Sequence, residues 1–265
     1  MSIYNALNIS KTGLQVTEAS LNAKIQNIAA SGADAYKKQY HVTSDLPYLD
    51  KGGVGMTTST LGTVNPTGTQ IGMGVQTVGI YRDFTQGEHQ DTGNPLDVLI
   101  DGEGFFSVTL PNGQQGFSRL GALQKNANGE IVMPKTGYVV QPGITIPTNA
   151  TKIDINPDGQ VYITTADNQN GQLVGQFQIA TFANPSGLKA YGDSTFVETP
   201  ASGAPDIGVP NTVRRGAIKH GWREGSNVNA VEEMTDLIRI EKIYDMLTKS
   251  LKTIESMLSS LLQVR

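Results

Sequence analysis

The side chains that most often carry catalysis or bind metals are few and scattered in this sequence. Its three histidines, His41, His89 and His220, show no H-x-x-x-H or H-E-x-x-H spacing, so each is better explained as an exposed or packed side chain than as a ligand or base. Cysteine is absent, which excludes disulfides, thiolate nucleophiles and cysteine-ligated metals. No G-x-S-x-G elbow and no Walker A sequence is present. The sequence therefore predicts no enzyme, no cofactor and no metal.

Two segments begin like a binding motif and then depart from it. Residues 154–159 follow the calcium-loop pattern D-x-N-x-D-G, but Thr165 stands where the bidentate Glu belongs. Residues 102–107 begin like a dinucleotide fingerprint, but they lack its third glycine and run into a predicted strand instead of a helix. We predict a β-turn at Asp158 and Gly159 for the first segment and no nucleotide site for the second.

Composition excludes some classes of function. The 265 residues carry a net charge of −4, whereas a nucleic-acid binder usually has a basic excess. Only 17% of residues are charged and 30 are glycine, a balance that suits a protein packing against copies of itself. No stretch approaches the roughly 18 apolar residues of a membrane span. The first residues lack the basic and apolar regions of a signal peptide, so we expect no cleaved signal and no membrane insertion.

Apolar residues recur with helical spacing near the N-terminus. Residues 3–30 contain no proline and one glycine, Gly13, and four apolar residues recur every seven positions with two more beside them. We call these six residues the N-terminal seam: Ile3, Leu7, Leu14, Leu21, Ile25 and Ile28.

The C-terminal region has a longer pattern of the same kind. Eight apolar residues step alternately by three and four positions, which is the a/d heptad of a coiled coil. We call them the C-terminal seam: Leu237, Ile240, Tyr244, Leu247, Leu251, Ile254, Leu258 and Leu261. Ser226 or Asn229 could cap this helix. The helix could pack on its own domain, but pairing with the N-terminal helix covers both seams more economically. We expect full cover only when subunits stack.

The middle of the chain is predicted to be β-structure. Short runs rich in Val, Ile, Phe and Thr are separated by Asn-Gly or Asp-Gly turns that end at Gly113, Gly129, Gly159 and Gly171. Such dense turns indicate an antiparallel sandwich or barrel. The predicted fold class is α+β, with a coiled-coil-like inner layer of terminal helices. Its predicted parts are a helix and turn at 1–45, an extended segment at 46–75, linkers at 76–96 and 207–228, a β domain at 97–206 and a helix at 229–265.

One segment has an unusual composition. Residues 52–81 contain no charge, and glycines alternate with threonines in the first part. The glycines that we assign to a subunit contact are Gly52, Gly53, Gly62 and Gly68. The segment could be a floppy linker. A loop that becomes ordered against neighbouring subunits is the better explanation, because 30 uncharged residues in water are unusual inside a compact domain.

Four blocks of sequence, in order, resemble the flagellar basal-body rod and hook protein family. The first comprises residues 10–14, Asn27 with the two residues after it, and Tyr36 with Lys37; the second is the T-Q-G of residues 85–87 with P-L-D-V at 95–98. The third is G-E-G-F-F, formed by Gly102, Glu103, Gly104, Phe105 and Phe106, continued by F-S-R at 117–119. The last is Ser226, Asn227, Val228 and Asn229, followed by E-E-M. Within the family, the chain is most similar to the distal rod protein.

This resemblance implies a function and a set of partners. Proteins of this family pass through the flagellar type III export apparatus without a cleaved signal and assemble in the periplasm as a helical homopolymer. The terminal helices line the tube, and residues 46–70 occupy the place of a rod-specific insertion that stiffens it. The implied partners are the proximal rod proteins, the hook protein and the P-ring and L-ring bushing, with no nucleic acid.

Two alternatives remain. One lies within the family, a proximal rod or hook subunit, although hook proteins commonly carry an extra outer domain. The other is a secreted adhesin with a helical stalk, which would form closed oligomers where a rod subunit forms open tubes.

Overall fold

The computed structural model describes residues 3–53, 68–166 and 171–263 as an α+β chain. Its helices are α1 Ile3–Ala29 and α2 Ala230–Gln263, with a short 3-10 helix at Pro185–Gly187. Its strands are β1 Gln39–Asp45, β2 Leu49–Gly52, β3 Thr69–Ile71, β4 Val75–Arg82, β5 His89–Asp91, β6 Val98–Asp101, β7 Phe105–Thr109, β8 Gln115–Ser118, β9 Gln124–Lys125, β10 Ile131–Val132, β11 Ala150–Ile155, β12 Gln160–Thr165, β13 Gln172–Gln176, β14 Ile179–Thr181, β15 Lys189–Gly192, β16 Thr195–Val197, β17 Asp206–Gly208, β18 Ala217–His220 and β19 Trp222–Glu224. Every strand pair whose register is defined is antiparallel. The α+β prediction is confirmed.

The chain divides into two compact units. The first, which we call the helical unit, comprises Met1–Ile28, Gln39–Tyr81 and Ala230–Arg265. The second, which we call the β unit, comprises Ala29–Lys38 and Arg82–Asn229. Because the two units alternate along the sequence, the chain passes four times from one to the other.

In the helical unit, α1 and α2 lie antiparallel against each other. The Lys24 ammonium is 3.1 Å from the Glu233 carboxylate and 2.7 Å from that of Asp236. About three turns along, a Cβ on Gly13 would lie 3.3 Å from the Leu247 side chain. These contacts give the helices one register, so residues after Met257 extend past the level of Ile3. The seams therefore have partial cover within one chain, and full cover by stacking stays a prediction. A supercoiled pairing stays a prediction.

Spacing correctly identified the less exposed face of α2. Seven of the eight residues of the C-terminal seam are buried or half-buried, and the residues beside them are mostly exposed. Leu261 is 59% exposed, since it lies beyond the end of α1.

The contact stripe of α1 differs from the predicted one. Ile25 is 51% exposed, so it lies off the face of α1 that packs within one chain, and its assignment to an assembly interface stays a prediction. The stripe alternates instead between the apolar residues of the seam and three polar residues that complete the 3-4 spacing, Ser10, Thr17 and Lys24. Hydrophobicity could not reveal these polar positions. Their polar groups tolerate burial because they are hydrogen-bonded. The hydroxyl of Thr17 donates to the carbonyl of Gly13 at 2.7 Å, and the ammonium of Lys24 donates to the carboxylates of α2.

A β-ribbon carries the uncharged segment of the helical unit. Strand β1 pairs with β4, and β2 pairs with β3 beyond it. The Leu46 N–H donates to the Gly74 carbonyl at 2.8 Å and closes the ribbon between the two pairs. The flanks of the predicted extended segment are thus paired strands. Gly62 lies outside the described residues, and Gly53 and Gly68 follow β2 and precede β3.

The β unit is built around a six-stranded antiparallel sheet of order β15-β16-β8-β7-β14-β17. Strand β7 is buried on both faces, because successive side chains point to opposite sides of a strand. Phe105 therefore packs with Phe117 in one core, and Phe106 packs with Phe177 in the other. Phe105 and Phe106, the two adjacent phenylalanines of the family motif, thus connect strand β7 to two hydrophobic cores.

The predicted turns carry the expected glycine conformation. Gly113, Gly129, Gly159 and Gly171 all have a positive φ between 73° and 83°. Gly159 lies between β11 and β12, and its N–H donates to the Asn156 carbonyl at 2.8 Å. The prediction of a β-turn in this calcium-like segment is confirmed.

Candidate assembly surfaces and the motif network

A buried ion triad joins three distant parts of the β unit. The Glu224 carboxylate, at the end of β19, is 2.7 Å from the Lys37 ammonium and 2.7 Å from the Arg119 Nε. All three side chains are at most 3% exposed. The Gly87 N–H adds a third donor at 3.0 Å. Each charge is thus paired and hydrogen-bonded, which a buried ion requires.

Arg119 extends this triad to the glycine-rich motif. Its guanidinium donates to three backbone carbonyls, those of Ile100, Gly102 and Gly104, at 3.2, 2.9 and 3.3 Å. Gln86 adds two bonds to the same turn, because its amide donates to the Ile100 carbonyl and accepts from the Gly102 N–H. The backbone carbonyls of this turn therefore accept hydrogen bonds from side chains where no neighbouring strand supplies an N–H.

The turn itself demands glycine. Gly102 and Gly104 have φ of +118° and +138°, which L side chains rarely adopt. A Cβ on Gly104 would collide with the Ile179 side chain of β14. The two motif glycines therefore position the start of β7 within the sheet.

Asn227 binds two other chain segments of the β unit, at Lys38 and at residues 83–85. Its Oδ1 accepts from the Lys38 N–H at 2.8 Å, and its Nδ2 donates to the carbonyls of Asp83 and Thr85 at 3.0 and 3.2 Å. Beside it, Ser226 accepts from the Val228 N–H at 3.2 Å. The S-N-V-N block thus stabilises the irregular chain that precedes α2, which begins directly after Asn229.

Asn27 has the corresponding place in the helical unit. It is fully buried, and its side-chain amide donates to the Gln39 carbonyl and accepts from the Gln39 N–H, both at 2.9 Å. The same amide donates to the Glu233 carboxylate at 3.0 Å. Glu233, also fully buried, binds Lys24 as well. The first and last motif blocks therefore meet in one polar cluster.

The triad shifts the pKa of two of its members. Burial alone would raise the pKa of Glu224, but the charges of Arg119 and Lys37 outweigh it and hold this pKa below its ordinary value. Burial, assisted by repulsion from Arg119, lowers the pKa of Lys37 against the attraction of Glu224. The partner charges thus decide the direction of the pKa shift at Glu224, whereas burial decides it at Lys37.

We expect the β unit to lose stability in acid. Because the folded-state pKa of Glu224 is depressed, its contribution to the free energy of unfolding is complete above its unfolded pKa of about 4.3. That contribution disappears as the pH falls through the folded pKa. Urea unfolding between neutral pH and strong acid, followed by fluorescence of Trp222 in β19, measures this loss.

A matched control separates Glu224 from the other carboxylate with a depressed pKa. The pKa of Asp101 is lowered chiefly by its hydrogen bond to Lys219. Asp101→Asn should leave the greater part of the acid loss in place. If the loss of unfolding free energy in acid disappears in Asp101→Asn, the assignment of that loss to Glu224 is contradicted.

Comparison with known proteins agrees with this arrangement of motifs. Residues 99–163 match the model of the flagellar hook protein FlgE/F/G D1 domain, and residues 219–264 match the model of the flagellar basal body rod FlgEFG protein C-terminal region. The flagellar basal-body rod protein FlgG of Agrobacterium fabrum is 41% identical over 96% of this chain and 97% of its own length. That of Caulobacter vibrioides is 38% identical over 98% of this chain and 99% of its own length. The chain belongs to the FlgG family of flagellar basal-body rod proteins. The family resemblance inferred from the motifs is confirmed.

The comparison also separates FlgG-like rod proteins from hook proteins. The flagellar hook protein FlgE of Escherichia coli is 31% identical over 56% of this chain and covers 35% of its own length. Similarity to FlgG proteins extends over nearly the whole chain, whereas similarity to this hook protein is partial. The length of the chain thus agrees with that of its FlgG relatives.

The described part of this FlgG-family chain offers neither a membrane-spanning helix nor a cluster of metal ligands. No helix among residues 3–53, 68–166 and 171–263 is long and apolar enough to cross a membrane. Within the same ranges, no group of three or more His, Asp or Glu side chains could hold a metal ion.

Several residues with structural roles in this FlgG-family chain were not identified from the sequence. The roles of Lys37 and Arg119 were missed although both stand in the family motifs, and Glu224 lies two residues before the last block. Glu233 was named only as part of the E-E-M that follows that block. The sequence did contain one signal for these roles. Lys37 and Arg119 are charged residues inside motifs that otherwise contain Gly, Asn and Phe, and charged residues on the surface do not usually have such neighbours.

Proposed function

We propose that this chain is a structural subunit of the flagellar distal rod that polymerises into a rigid tube. The observation that carries the proposal is its similarity to FlgG rod proteins over nearly the full length of both chains. The tube would transmit torque from the motor to the hook and enclose part of the export channel.

The helical unit supports polymerisation through the terminal helices. Its two helices pair in one chain, yet apolar residues remain exposed on α2, including Met246, Met257 and Leu262 at 56 to 68%. A helix with apolar residues on several faces requires more than one packing partner. We propose that the C-terminal and N-terminal seams, with these exposed residues, form the coiled-coil-like inner layer of the tube.

The β-ribbon supports the proposed stiffening role of residues 46–70. Its described flanks hold glycine and apolar residues with few charges, and Tyr48 and Leu49 are 56% and 47% exposed. Such a segment can approach neighbouring backbones closely and brings few charges that must lose water. Wedged between subunits, it would remove the sliding freedom that lets a tube bend.

The remaining partners follow from this assignment. We propose that the subunit is exported by the flagellar type III apparatus without a cleaved signal and assembles in the periplasm. There it would contact proximal rod proteins below, the hook protein above and the P-ring and L-ring around it. Catalysis has no part in the proposal.

Deleting residues 46–70 should give tubes that bend. The structure favours tolerance of this deletion, because it joins Asp45 to Ile71 and leaves a four-residue connection, 71–74, between the paired strands β1 and β4. The helices and the β unit keep their contacts, so polymerisation should persist while the wedge is absent. The curvature distribution of assembled tubes by electron microscopy is the measurement.

Two outcomes of this experiment would contradict the proposal. Straight, stiff tubes from the deletion variant would make the segment a passive linker. Closed oligomers from the intact chain would instead favour the adhesin alternative. The milder variant Gly68→Asp should raise curvature less than the deletion, because one charge must lose water at each contact.

A further inference from the structure

One apolar side chain of the β unit lies almost entirely in water. Val213, in the loop of residues 209–216 between β17 and β18, is 90% exposed, the highest fraction among the large apolar side chains of the described residues. Val209, at the start of the same loop, is 40% exposed. A single exposed valine is ordinary, so the conformation of the loop decides whether this one has a role.

The loop that carries this valine is stabilised by its own hydrogen bonds. The Asn211 N–H donates to the Gly216 carbonyl at 3.0 Å and closes the loop, and the Asn211 Nδ2 donates to the Asp158 carboxylate at 2.8 Å. Across the tip, the Arg215 N–H donates to the Thr212 carbonyl at 2.9 Å. The valine therefore projects from a preorganised turn, and a partner that binds it has little chain left to order.

Arg214 lies beside Val213, and the two residues form what we call the loop tip. The φ of Arg214 is +71°, a value that suits glycine or asparagine better than a long side chain. Its side chain is exposed and has no ion-pair partner among the described residues, since the nearby Asp206 pairs with Arg215 at 2.7 Å. Strained backbone of this kind is typical of binding segments. The loop tip therefore presents an apolar group and an unpaired cation together.

A cavity of about 430 Å³ in the same β unit has an apolar interior. Its most buried lining residues are Ala122, Leu123 and Met133, which are 8%, 2% and 1% exposed. The volume lies within the range of ligand pockets, roughly 300–1,000 Å³. A small branched aliphatic side chain therefore fits this cavity in size and in polarity.

The charges at the rim of the cavity favour a cation. Lys135 and Asp193 pair at 2.8 Å. Arg223 is held chiefly by the buried Asp97, because its Nε is 2.6 Å from that carboxylate, whereas its Nη1 is 3.4 Å from Asp34. Two cations thus face three carboxylates, of which Asp34 is the least closely paired. An arginine without a partner of its own complements this excess of negative charge.

We infer that the loop tip inserts into this cavity on a second copy of the chain. Val213 covers the apolar interior, and Arg214 pairs with Asp34 at the rim. The inference rests on the proposed function, since it names a contact between copies. Loop and cavity share no residue, so the contact joins two different surfaces and continues from copy to copy. Both surfaces lie in the β unit, so this contact is distinct from the one proposed for the seams.

Disulfide cross-linking tests the contact in the full-length chain. The chain has no cysteine, and Gln124 is an exposed residue that lines the cavity. We expect Val213→Cys and Gln124→Cys, mixed where the parent chain assembles and oxidised by dissolved oxygen, to form a disulfide that links one copy of each. Val213→Cys mixed with Leu173→Cys is the matched control, because Leu173 is 51% exposed on β13 and does not line the cavity. This control should give no mixed product.

A chain that carries both Val213→Cys and Gln124→Cys distinguishes an open contact from a closed one. Oxidation should give a ladder of linked dimers, trimers and larger products. Linking that stops at the dimer would make the contact reciprocal and overturn the inference, as would equal linking to Leu173→Cys.

Electron microscopy of the same samples tests the rod assignment separately. If no linked product forms, the inference is overturned whether or not tubes are present. If tubes form without linked product, the rod assignment stands and only this contact is wrong. A ladder of linked products without tubes would support the contact and contradict the rod assignment.

Val213→Asp should weaken assembly and leave the fold unchanged. The side chain is 90% exposed within one chain, so circular dichroism and the urea midpoint should match those of the parent. In the contact, a carboxylate would enter an apolar cavity with a negative rim, so the critical concentration for assembly should rise roughly tenfold or more. Leu173→Asp is the control and should keep the critical concentration of the parent. An unchanged critical concentration in Val213→Asp would overturn the inference.

Discussion

Glu224→Gln should destabilise the β unit by about 3–5 kcal/mol, the range measured when one partner of a buried ion pair is removed. The carboxylate is the only anion in the triad and accepts from Lys37, Arg119 and Gly87. Its loss leaves two buried cations that repel each other. Trp222, the single tryptophan, lies two residues away, so its fluorescence in a urea titration reports the change.

Asp154→Asn is the control for this substitution. Its carboxylate pairs with Lys152 at 2.8 Å, but both side chains are about half exposed or more. Exposed pairs contribute about 0–1 kcal/mol, so the urea midpoint should scarcely move. If the urea midpoints of Glu224→Gln and Asp154→Asn shift equally, burial does not make the triad more stabilising than an exposed ion pair.

A second substitution tests the physical reason. Adding Lys37→Met to Glu224→Gln removes one of the two repelling cations, while Arg119 keeps its backbone carbonyl partners. The double variant should therefore be more stable than Glu224→Gln alone, which is a non-additive effect. Additive destabilisation would contradict charge repulsion as the cause.

Leu251→Asp should abolish tube formation while leaving the β unit folded. Leu251 lies on the half-buried seam of α2, and an unpaired carboxylate at such a position costs several kcal/mol, roughly 2 or more. The cost recurs in every subunit, so a polymer amplifies it. Sedimentation should show no large assemblies, and circular dichroism should retain the β signal.

Thr253→Asp is the matched control on the same helix. Thr253 is exposed two residues further along, where its hydroxyl donates to the Lys249 carbonyl within α2. The added charge stays in water, so assembly should persist. Tubes from Leu251→Asp would show that the seam is not the assembly surface.

The helices and turns could be predicted because their signals are local. An apolar residue every three or four positions specifies a helix face wherever that helix lies, and Asn-Gly or Asp-Gly specifies a turn through its own backbone conformation. The two predicted helical regions accordingly contain α1 at Ile3–Ala29 and α2 at Ala230–Gln263. Ile25 is nevertheless 51% exposed, because apolar character alone does not show which positions a partner helix covers within one chain.

The polar network could not be predicted because its members are brought together only by the fold. Glu224 lies 187 positions from Lys37 and 105 from Arg119, and nothing local to any of the three specifies the other two. A charge becomes buried only where the surrounding strands exclude water and supply its partners. The sequence by itself determined the helices, the turns and the family motifs. The tertiary structure decided that those motifs converge on one buried triad and on the hydrogen bonds of Asn27 and Asn227, since hydrogen bonds between distant segments depend on positions that only the packed chain defines.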